Sequence, residues 1–366
     1  MRRILIYCES WKSGGIESFL TNALLRMDLT ELTVDIVTAE LWDNVFTPAL
    51  REKGVNFIEL SGKQQRLLRN RRMFRALLRE NRYDVLHLNV FQGMTLRYAA
   101  IARRAGVPRR IAHSHNTALR KSLLRPVKLM LHRLYGRLFT SAATELWACS
   151  RAAAEYLFPA AALQARGYRF IPNGIDTERF RFRAEERARV RHEQGLEDAF
   201  VVGHVGRLTY QKNQSFLLDV HAALLRRRPE SVLLLVGDGE DEAMLREKAE
   251  TLGIADRVIF YGTSKQVEEL FWAMDVFAFP SRFEGLGIVA VEAQAAGLAT
   301  LCSEHVPPEA LVTDTARVVP ITDAAAWTEA LAAIPSGGAR PDSGAVIRRA
   351  GYDIADTAAA VEEAYQ

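Results

Sequence analysis

Two carboxylates, Glu284 and Glu292, lie in the stretch FEGLGIVAVEAQAAG (283–297) with seven residues between them. The run DVFAFPS just before it reads as a buried strand, RFEGLG as the loop leaving that strand, and IVAVEAQAA as a helix closed by Gly297. Unpaired amides around Gly285, Leu286 and Gly287 at the start of this helix would receive a phosphate, and the two glycines permit close backbone approach. Two ionised acids repel a bare diphosphate. They suit a ligand that also carries hydroxyl groups, whose protons they accept, and a sugar nucleotide has both features. For this stretch alone, the alternative is an ordinary strand-loop-helix with Glu292 on a solvated face.

A second group of residues follows the strand VVGHVG. Gly206 ends it, and Arg207 and Lys212 stand in the loop before the next helix. Alone they read as solvated loop charges. Beside an anion-receptive helix end they form a phosphate site, Arg207 as a forked donor and Lys212 as a point charge. In the first half of the chain, Gly14 and Gly15 follow the first strand without forming a GxGxxG or Walker pattern. Such a pair lets a substrate pass close to the backbone, and Glu17 suits the first helical turn. RRIAHSHNT sets His113, Ser114, His115 and Asn116 at a strand's carboxyl edge, as ligand contacts or as structural groups. No Asp, Glu or Cys joins them at metal-ligand spacing, and GDGEDE (237–242) reads as a turn and helix start, so no metal site is expected.

The elements that must position these residues alternate between short β-rich runs and helical stretches, the pattern of α/β parallel sheets covered by helices on both faces. Strands are expected at RILIYC, TVDIVTA, NFIEL, DVLHLN, RRIAHSH and ELWACS, then at VVGHVG, SVLLLVGD, RVIFYG, DVFAFPS and ATLCS. Helices are expected at 213–227, 240–252 and 353–365, and PSGGARPDSG (335–344) reads as a loop. FIPNGIDTERF interrupts the periodicity and places a boundary near residue 171. Open doubly wound sheets bind ligands beyond the carboxyl ends of their strands, where all of these residues fall.

The bulk composition suits two domains: 366 residues, 49% hydrophobic and 25% charged, without a run of about 18 apolar residues that could span a bilayer. The initial apolar run ends at Cys8 with no small-residue cleavage site after it, so it reads as a strand, not a signal peptide. Cys8, Cys149 and Cys302 are too scattered for a disulfide framework or zinc site, and a reducing cytosol fits. Residues 1–170 hold 28 Lys and Arg against 13 Asp and Glu, a net +15, and residues 171–366 hold 20 against 31, a net −11. Two basic stretches, 63–82 and 119–139, carry leucine stripes among their cations. They read either as packed helices with solvated basic faces or as helices that lie on an anionic membrane surface. Nucleic acid is the weaker reading, because stacking aromatics are missing.

With these residues in place, the chain resembles the family 4 glycosyltransferases of the GT-B fold. GGIE, ACSRAAAEYL, IPNGIDTERF, VGRLTYQKN, LLLVGDG, VIFYGT and FEGLGIVAVEAQAAG occur in the family's order, and AHSHNT and EAQAAG are most similar to the bacterial exopolysaccharide and capsule branch. The resemblance implies two Rossmann-like domains facing a cleft: an acceptor domain at 1–170, a nucleotide-sugar domain at 171–345, and a last segment, 346–366, crossing back to the first. It implies metal-independent, retaining transfer of a hexose from a nucleotide diphosphate sugar, expected to be a UDP-sugar, to a lipid-linked saccharide, with no cofactor. Glu284 would contact hydroxyls of the transferred sugar, Glu292 the ribose, and Arg207 and Lys212 the diphosphate, helped by amides near Gly287. Gly15 would lie near diphosphate and acceptor, His115 or else His113 beside the donor sugar, and the loop from Gly262 to Val267 around the nucleobase. SEHVPPEAL departs from the family's glycine-rich loop there, with Pro307 and Pro308 ahead of Glu309. The expected location is cytoplasmic, on the inner face of the membrane. A sugar-nucleotide epimerase and a non-enzymatic nucleotide-sugar-binding regulator are the rival readings.

Overall fold

A computed structural model describes every residue except 13, 43, 119–124 and 338–339. The chain separates into two units, Met1–Gly174 together with Gly351–Gln366, and Ile175–Ala350.

The first unit is built on seven parallel strands: β1 (Arg2–Cys8), β2 (Leu32–Thr38), β3 (Asn56–Glu59), β4 (Val85–Val90), β5 (Arg109–Ser114), β6 (Glu145–Ala148) and β7 (Arg169–Phe170), in the order β3-β2-β1-β4-β5-β6-β7. Central strands covered on both faces must be apolar nearly throughout. In β1 the run Ile4–Cys8 is buried, with Ile4 in register with Val34 on one side and Val85 on the other. The helix Ile354–Tyr365 completes this unit. Ala358, Val361, Ala364 and Tyr365 pack with Ile16, Phe19 and Leu20 of the helix Gly15–Arg26, so the chain's last apolar stripe closes the core of its first sheet.

The second unit has six parallel strands: β8 (Phe200–Val205), β9 (Ser231–Val236), β10 (Val258–Gly262), β11 (Val276–Phe279), β12 (Ala299–Cys302) and β13 (Ala316–Val318), in the order β10-β9-β8-β11-β12-β13. Both sheets are doubly wound, and each has one place where the strand order reverses: β1 beside β4, and β8 beside β11. The carboxyl ends of those strand pairs are where such sheets open a crevice for a ligand. Arg187 and Arg191 of the helix Ala184–Glu193 converge on buried Asp275 at 2.7 and 3.2 Å, and that carboxylate also takes the Val201 amide proton at 2.8 Å. This buried network ties the entry points of β8 and β11 together.

Two short edge strands, β7 and β13, were not anticipated. They have two and three residues, and their sequences RF and ARV carry no apolar run, because an edge strand is only half covered. The loop expected at 335–344 gives way at its end to a helix, Gly344–Arg349. Of the two basic stretches, 63–82 contains the helix Leu67–Glu80, which buries Asn70, Arg71, Phe74 and Leu78 and exposes its other arginines. The stretch 119–139 contains the helix Arg125–Phe139, and its first six residues lie outside the described residues.

Candidate functional site

In the second unit, the loops leaving β8 and β11 are sewn to each other. The Arg282 amide donates to the Gln211 carbonyl (2.8 Å), and Gln211 Nε2 donates to the Phe283 carbonyl (2.9 Å). Asn213 holds a left-handed conformation (φ 60°) that its short amide side chain tolerates, and donates to the Pro280 carbonyl at 3.1 Å while accepting from Arg282 at 2.6 Å. Beneath the loops lies His204, whose pKa burial lowers to about 4. The neutral ring donates from Nδ1 to the Ala278 carbonyl (2.8 Å), leaving Nε2 to accept from Gln214 (3.1 Å), which also donates to the Arg207 carbonyl at 3.0 Å.

These loops bring together most of the expected site residues of this unit. Lys212 Nζ lies 2.7 Å from Glu284 Oε1, both side chains are largely buried, and the ammonium sits 4.7 Å from the Phe279 ring centroid. An ammonium has three protons to donate, so the pair with Glu284 leaves two for phosphate oxygens. Gly206 packs against the lysine stem: a Cβ built there would lie 3.3 Å from Lys212 Cε. Gly285 and Leu286 lead into Gly287, which starts the helix Ile288–Ala295 in a left-handed conformation (φ 85°), and a Cβ at Gly287 would come within 3.0 Å of Phe279. This lets the first amides of the helix stand at the end of β11. Arg207 is exposed, 3.6 Å from Glu240, so it faces solvent instead of joining the Lys212–Glu284 pair.

Glu292 comes one turn into the helix. Burial raises its carboxyl to about 7, with Glu268 pushing the same way and Arg179 and Lys212 opposing. Arg179 pins the neighbouring loop by donating to Glu268 Oε2 and the Lys265 carbonyl, each at 2.7 Å. That loop starts at Gly262, whose carbonyl accepts the Gly237 amide proton at 2.7 Å, and ends at Val267, the first residue of the helix Val267–Ala273. A carboxyl whose folded pKa lies above its ordinary value favours the folded state when protonated. Its contribution is fully present below about pH 4.5 and is lost as pH rises through about 7. Thermal melts of unliganded wild type and Glu292→Gln across this range are therefore expected to diverge, with the wild type losing stability relative to the variant as pH rises.

Gln211, Arg179 and Glu268 were not singled out from the sequence. The signal available was position: Gln211 adjoins Lys212, Arg179 lies within DTERF, and Glu268 directly follows the loop at 262–267. In the departing loop 303–311, the amides of His305, Val306, Ala310 and Leu311 are all hydrogen-bonded within the loop, and Pro307 and Pro308 have none. None of these six positions offers an amide proton to a ligand.

In the first unit, Gly14 is extended, and a Cβ there would meet the Glu17 carboxylate at 2.8 Å, whereas a Cβ on Gly15 would meet nothing within 4 Å. Glu17 is buried and folds back to accept the Lys12 amide proton at 2.9 Å, so its role is to cap this turn. His115 is half-buried at the end of β5, with Nε2 2.9 Å from Asn89 Oδ1. An amide oxygen only accepts, so His115 carries its proton on Nε2, and among the described residues Nδ1 has no hydrogen-bond partner. Burial holds its pKa at about 3, which keeps the ring neutral. His113 is fully buried, and its Nδ1 meets His87 Nε2 at 3.2 Å, while His87 Nδ1 meets the Tyr365 hydroxyl at 2.7 Å. Of the two histidines, His115 alone retains partial exposure. Tyr365→Phe leaves His87 one partner short in the core and is expected to cost about 1–3 kcal/mol in chemical denaturation.

Residues 13–179 match the Glycosyltransferase Family 4 model, and residues 186–343 match the Glycosyl transferases group 1 model. The putative glycosyltransferase EpsF of Bacillus subtilis is 30% identical over 100% of this chain and 96% of its own. The chain belongs to the family 4 glycosyltransferases. A GDP-mannose-dependent α-(1-6)-phosphatidylinositol monomannoside mannosyltransferase of Mycolicibacterium smegmatis is 35% identical over 63% of this chain and 62% of its own. The GT-B fold is shared with Anabaena Alr3699/HepE, solved with UDP and glucose, at a TM-score of 0.77 and 21% identity over 99% of each chain.

Proposed function

We propose that this glycosyltransferase transfers a hexose, with retention of anomeric configuration, from a UDP-sugar to a lipid-linked saccharide in surface polysaccharide assembly. The observation that carries the reading is the Lys212–Glu284 pair at 2.7 Å, set where the strand order reverses between β8 and β11 and beside the helix that begins at Ile288. In this reading Lys212, the amides after Gly287, and Arg207 swinging in from solvent carry the charge that develops on the leaving diphosphate, so no metal is required. Glu284 holds hydroxyls of the transferred sugar. Glu292 accepts from the ribose hydroxyls once ionised, which makes nucleotide binding tighten as pH rises through about 7. Bases stack against the loop from Gly262 to Val267, and His115 stands beside the donor sugar.

A lipid-linked acceptor is supported by the helix Arg125–Phe139. It exposes Val127, Met130, Leu134 and Leu138 at helical spacing among exposed Arg125, Lys128, Arg133 and Arg137, a pattern suited to lying on an anionic bilayer at the cytoplasmic face. No helix among the described residues is long and apolar enough to cross a membrane. Replacing Lys128, Arg133 and Arg137 together by Gln is expected to abolish sedimentation with anionic liposomes, and retained binding would remove this helix from the account.

The test of function is incubation of the purified protein with UDP- and GDP-sugars, with and without a membrane lipid extract and with and without chelator. Release of UDP from one donor, increased by lipid and indifferent to chelator, is the expected result. Isomerisation of the donor without release would instead show an epimerase, and binding without turnover in the presence of lipid extract a regulator.

A further inference from the structure

The helix Thr177–Phe180 is four residues long, too short to hold itself without a cap and tertiary packing. Asp176 caps it by accepting the Arg179 amide proton at 3.1 Å. The helix packs on two others of the second unit: Ile288–Ala295, which carries Glu292, and Val267–Ala273, which carries Glu268 in its first turn. Arg179 is the cation it brings to that junction. Its Nη2 donates at 2.7 Å both to Glu268 Oε2 and to the Lys265 carbonyl, so a single nitrogen ties the loop between Gly262 and Val267 to the helix that follows it.

Stability is a poor account of this arrangement. The Arg179 side chain is 44% exposed, and an ion pair exposed to that degree contributes little to folding. The arrangement does bear on Glu292, which is half-buried on the adjoining helix. No bond joins Arg179 to Glu292 among the described residues, yet Arg179 is the foremost of the charges that favour the ionised form of Glu292, ahead of Lys212. Glu268 works against that form. Two carboxylates therefore depend on one guanidinium, directly bonded to the first and acting on the second through space. The remaining charged groups on the elements packed around Glu292 are Glu178, held by Arg348 at 3.0 Å, Arg349 beside Arg348 on the helix Gly344–Arg349, and Glu309 on the turn Pro308–Ala310.

We propose that Arg179 is a positioning residue for nucleotide binding, acting through its two carboxylate neighbours: through Glu268 and Lys265 it fixes the loop that receives the base, and its charge keeps Glu292 ionised, the form that accepts best from ribose hydroxyls. This rests on the glycosyltransferase reading with the ribose on Glu292, and adds the residue that sets the charge of that contact. Glu268 has two opposed effects. It anchors the guanidinium, and its own charge resists the ionisation of Glu292.

The test is calorimetric titration of the full chain with UDP-glucose and GDP-mannose, two probes that share the ribose and the diphosphate, from about pH 5.5 to about 9. Wild type is expected to bind one of them more tightly as pH rises through about 7, and Glu292→Gln to flatten that rise. Arg179→Gln is expected to move the midpoint of the rise up by about one pH unit, the scale of losing a neighbouring opposite charge, which makes binding about fivefold weaker at pH 7 and nearer to wild type at pH 9. Arg179→Lys keeps the charge and brings the midpoint back. Glu268→Gln moves the midpoint down, because its amide oxygen still accepts from Arg179 while its charge is gone. A guanidinium that only pinned the loop would weaken binding equally at every pH and give Glu268→Gln no such gain at low pH. An unmoved midpoint in Arg179→Gln, a midpoint that does not fall in Glu268→Gln, or a rise that survives Glu292→Gln would overturn the proposal. Wild-type binding of neither probe defeats the functional reading and this inference with it, whereas binding with unmoved midpoints defeats the inference alone. Melts of the unliganded variants show that each is folded, and Glu268→Gln decides the matter should Arg179→Gln not fold.

Discussion

Lys212→Met lowers the rate of sugar transfer by about 10² to 10³, the scale of losing one preorganised group that stabilises developing charge. The ammonium sits between Glu284, at 2.7 Å, and the Phe279 ring, at 4.7 Å, so its position is fixed before any substrate arrives. Methionine preserves the stem that packs on Gly206 and removes only the charge. Initial rates at saturating donor check this: the loss is expected in kcat, with a smaller change in KM, because charge on the diphosphate oxygens grows as the bond to the sugar breaks. A second consequence separates the lysine's two duties. Without Lys212, Glu284 is a buried carboxylate that has lost its ion-pair partner, so Lys212→Met also lowers thermal stability, whereas the double variant Lys212→Met/Glu284→Gln recovers part of the stability and none of the rate.

Gly237→Ala is expected to be strongly destabilising in the second unit. Gly237 follows β9 with φ 130°, and a Cβ there would lie 2.3 Å from the Gly206 carbonyl oxygen. The neighbour is backbone, not the end of a flexible side chain, so relief requires moving the Gly206–Arg207 segment itself. Backbone strain and overpacking together cost about 3 kcal/mol or more, a fall of roughly 6–12 °C in Tm for a unit of this size. Weaker nucleotide binding accompanies the loss of stability, since the displaced segment carries Gly206 against Lys212. Calorimetric melting and nucleotide titration of the variant check both effects.

The alternation of apolar runs and helical periods made the two doubly wound sheets legible, because buried parallel strands such as Ile4–Cys8 and Ser231–Val236 must be nearly all apolar. The edge strands β7 and β13 left no such mark. In the site, Glu284, Lys212 and the turn at Gly287 were readable because charge beside glycine at a strand's carboxyl end has few structural uses. The direct ion pair between Lys212 and Glu284 was not readable: it joins positions 72 residues apart, through loops held by Gln211 and Asn213, whose amides look unremarkable in sequence. Arg207 and Lys212 read as a pair of cations in one loop, yet the fold buries Lys212 and leaves Arg207 in solvent. Arg71 lies within a run of arginines that reads as one solvated face, and only the helix packing singles it out.

The most direct test of the account is the structure of the protein crystallised with UDP. The diphosphate is expected within hydrogen-bond distance of Lys212 and of the amides following Gly287, the ribose hydroxyls on Glu292, and the uracil along the loop from Gly262 to Val267. A nucleotide bound elsewhere, or one bound here with Lys212 turned away and the ribose clear of Glu292, would contradict it.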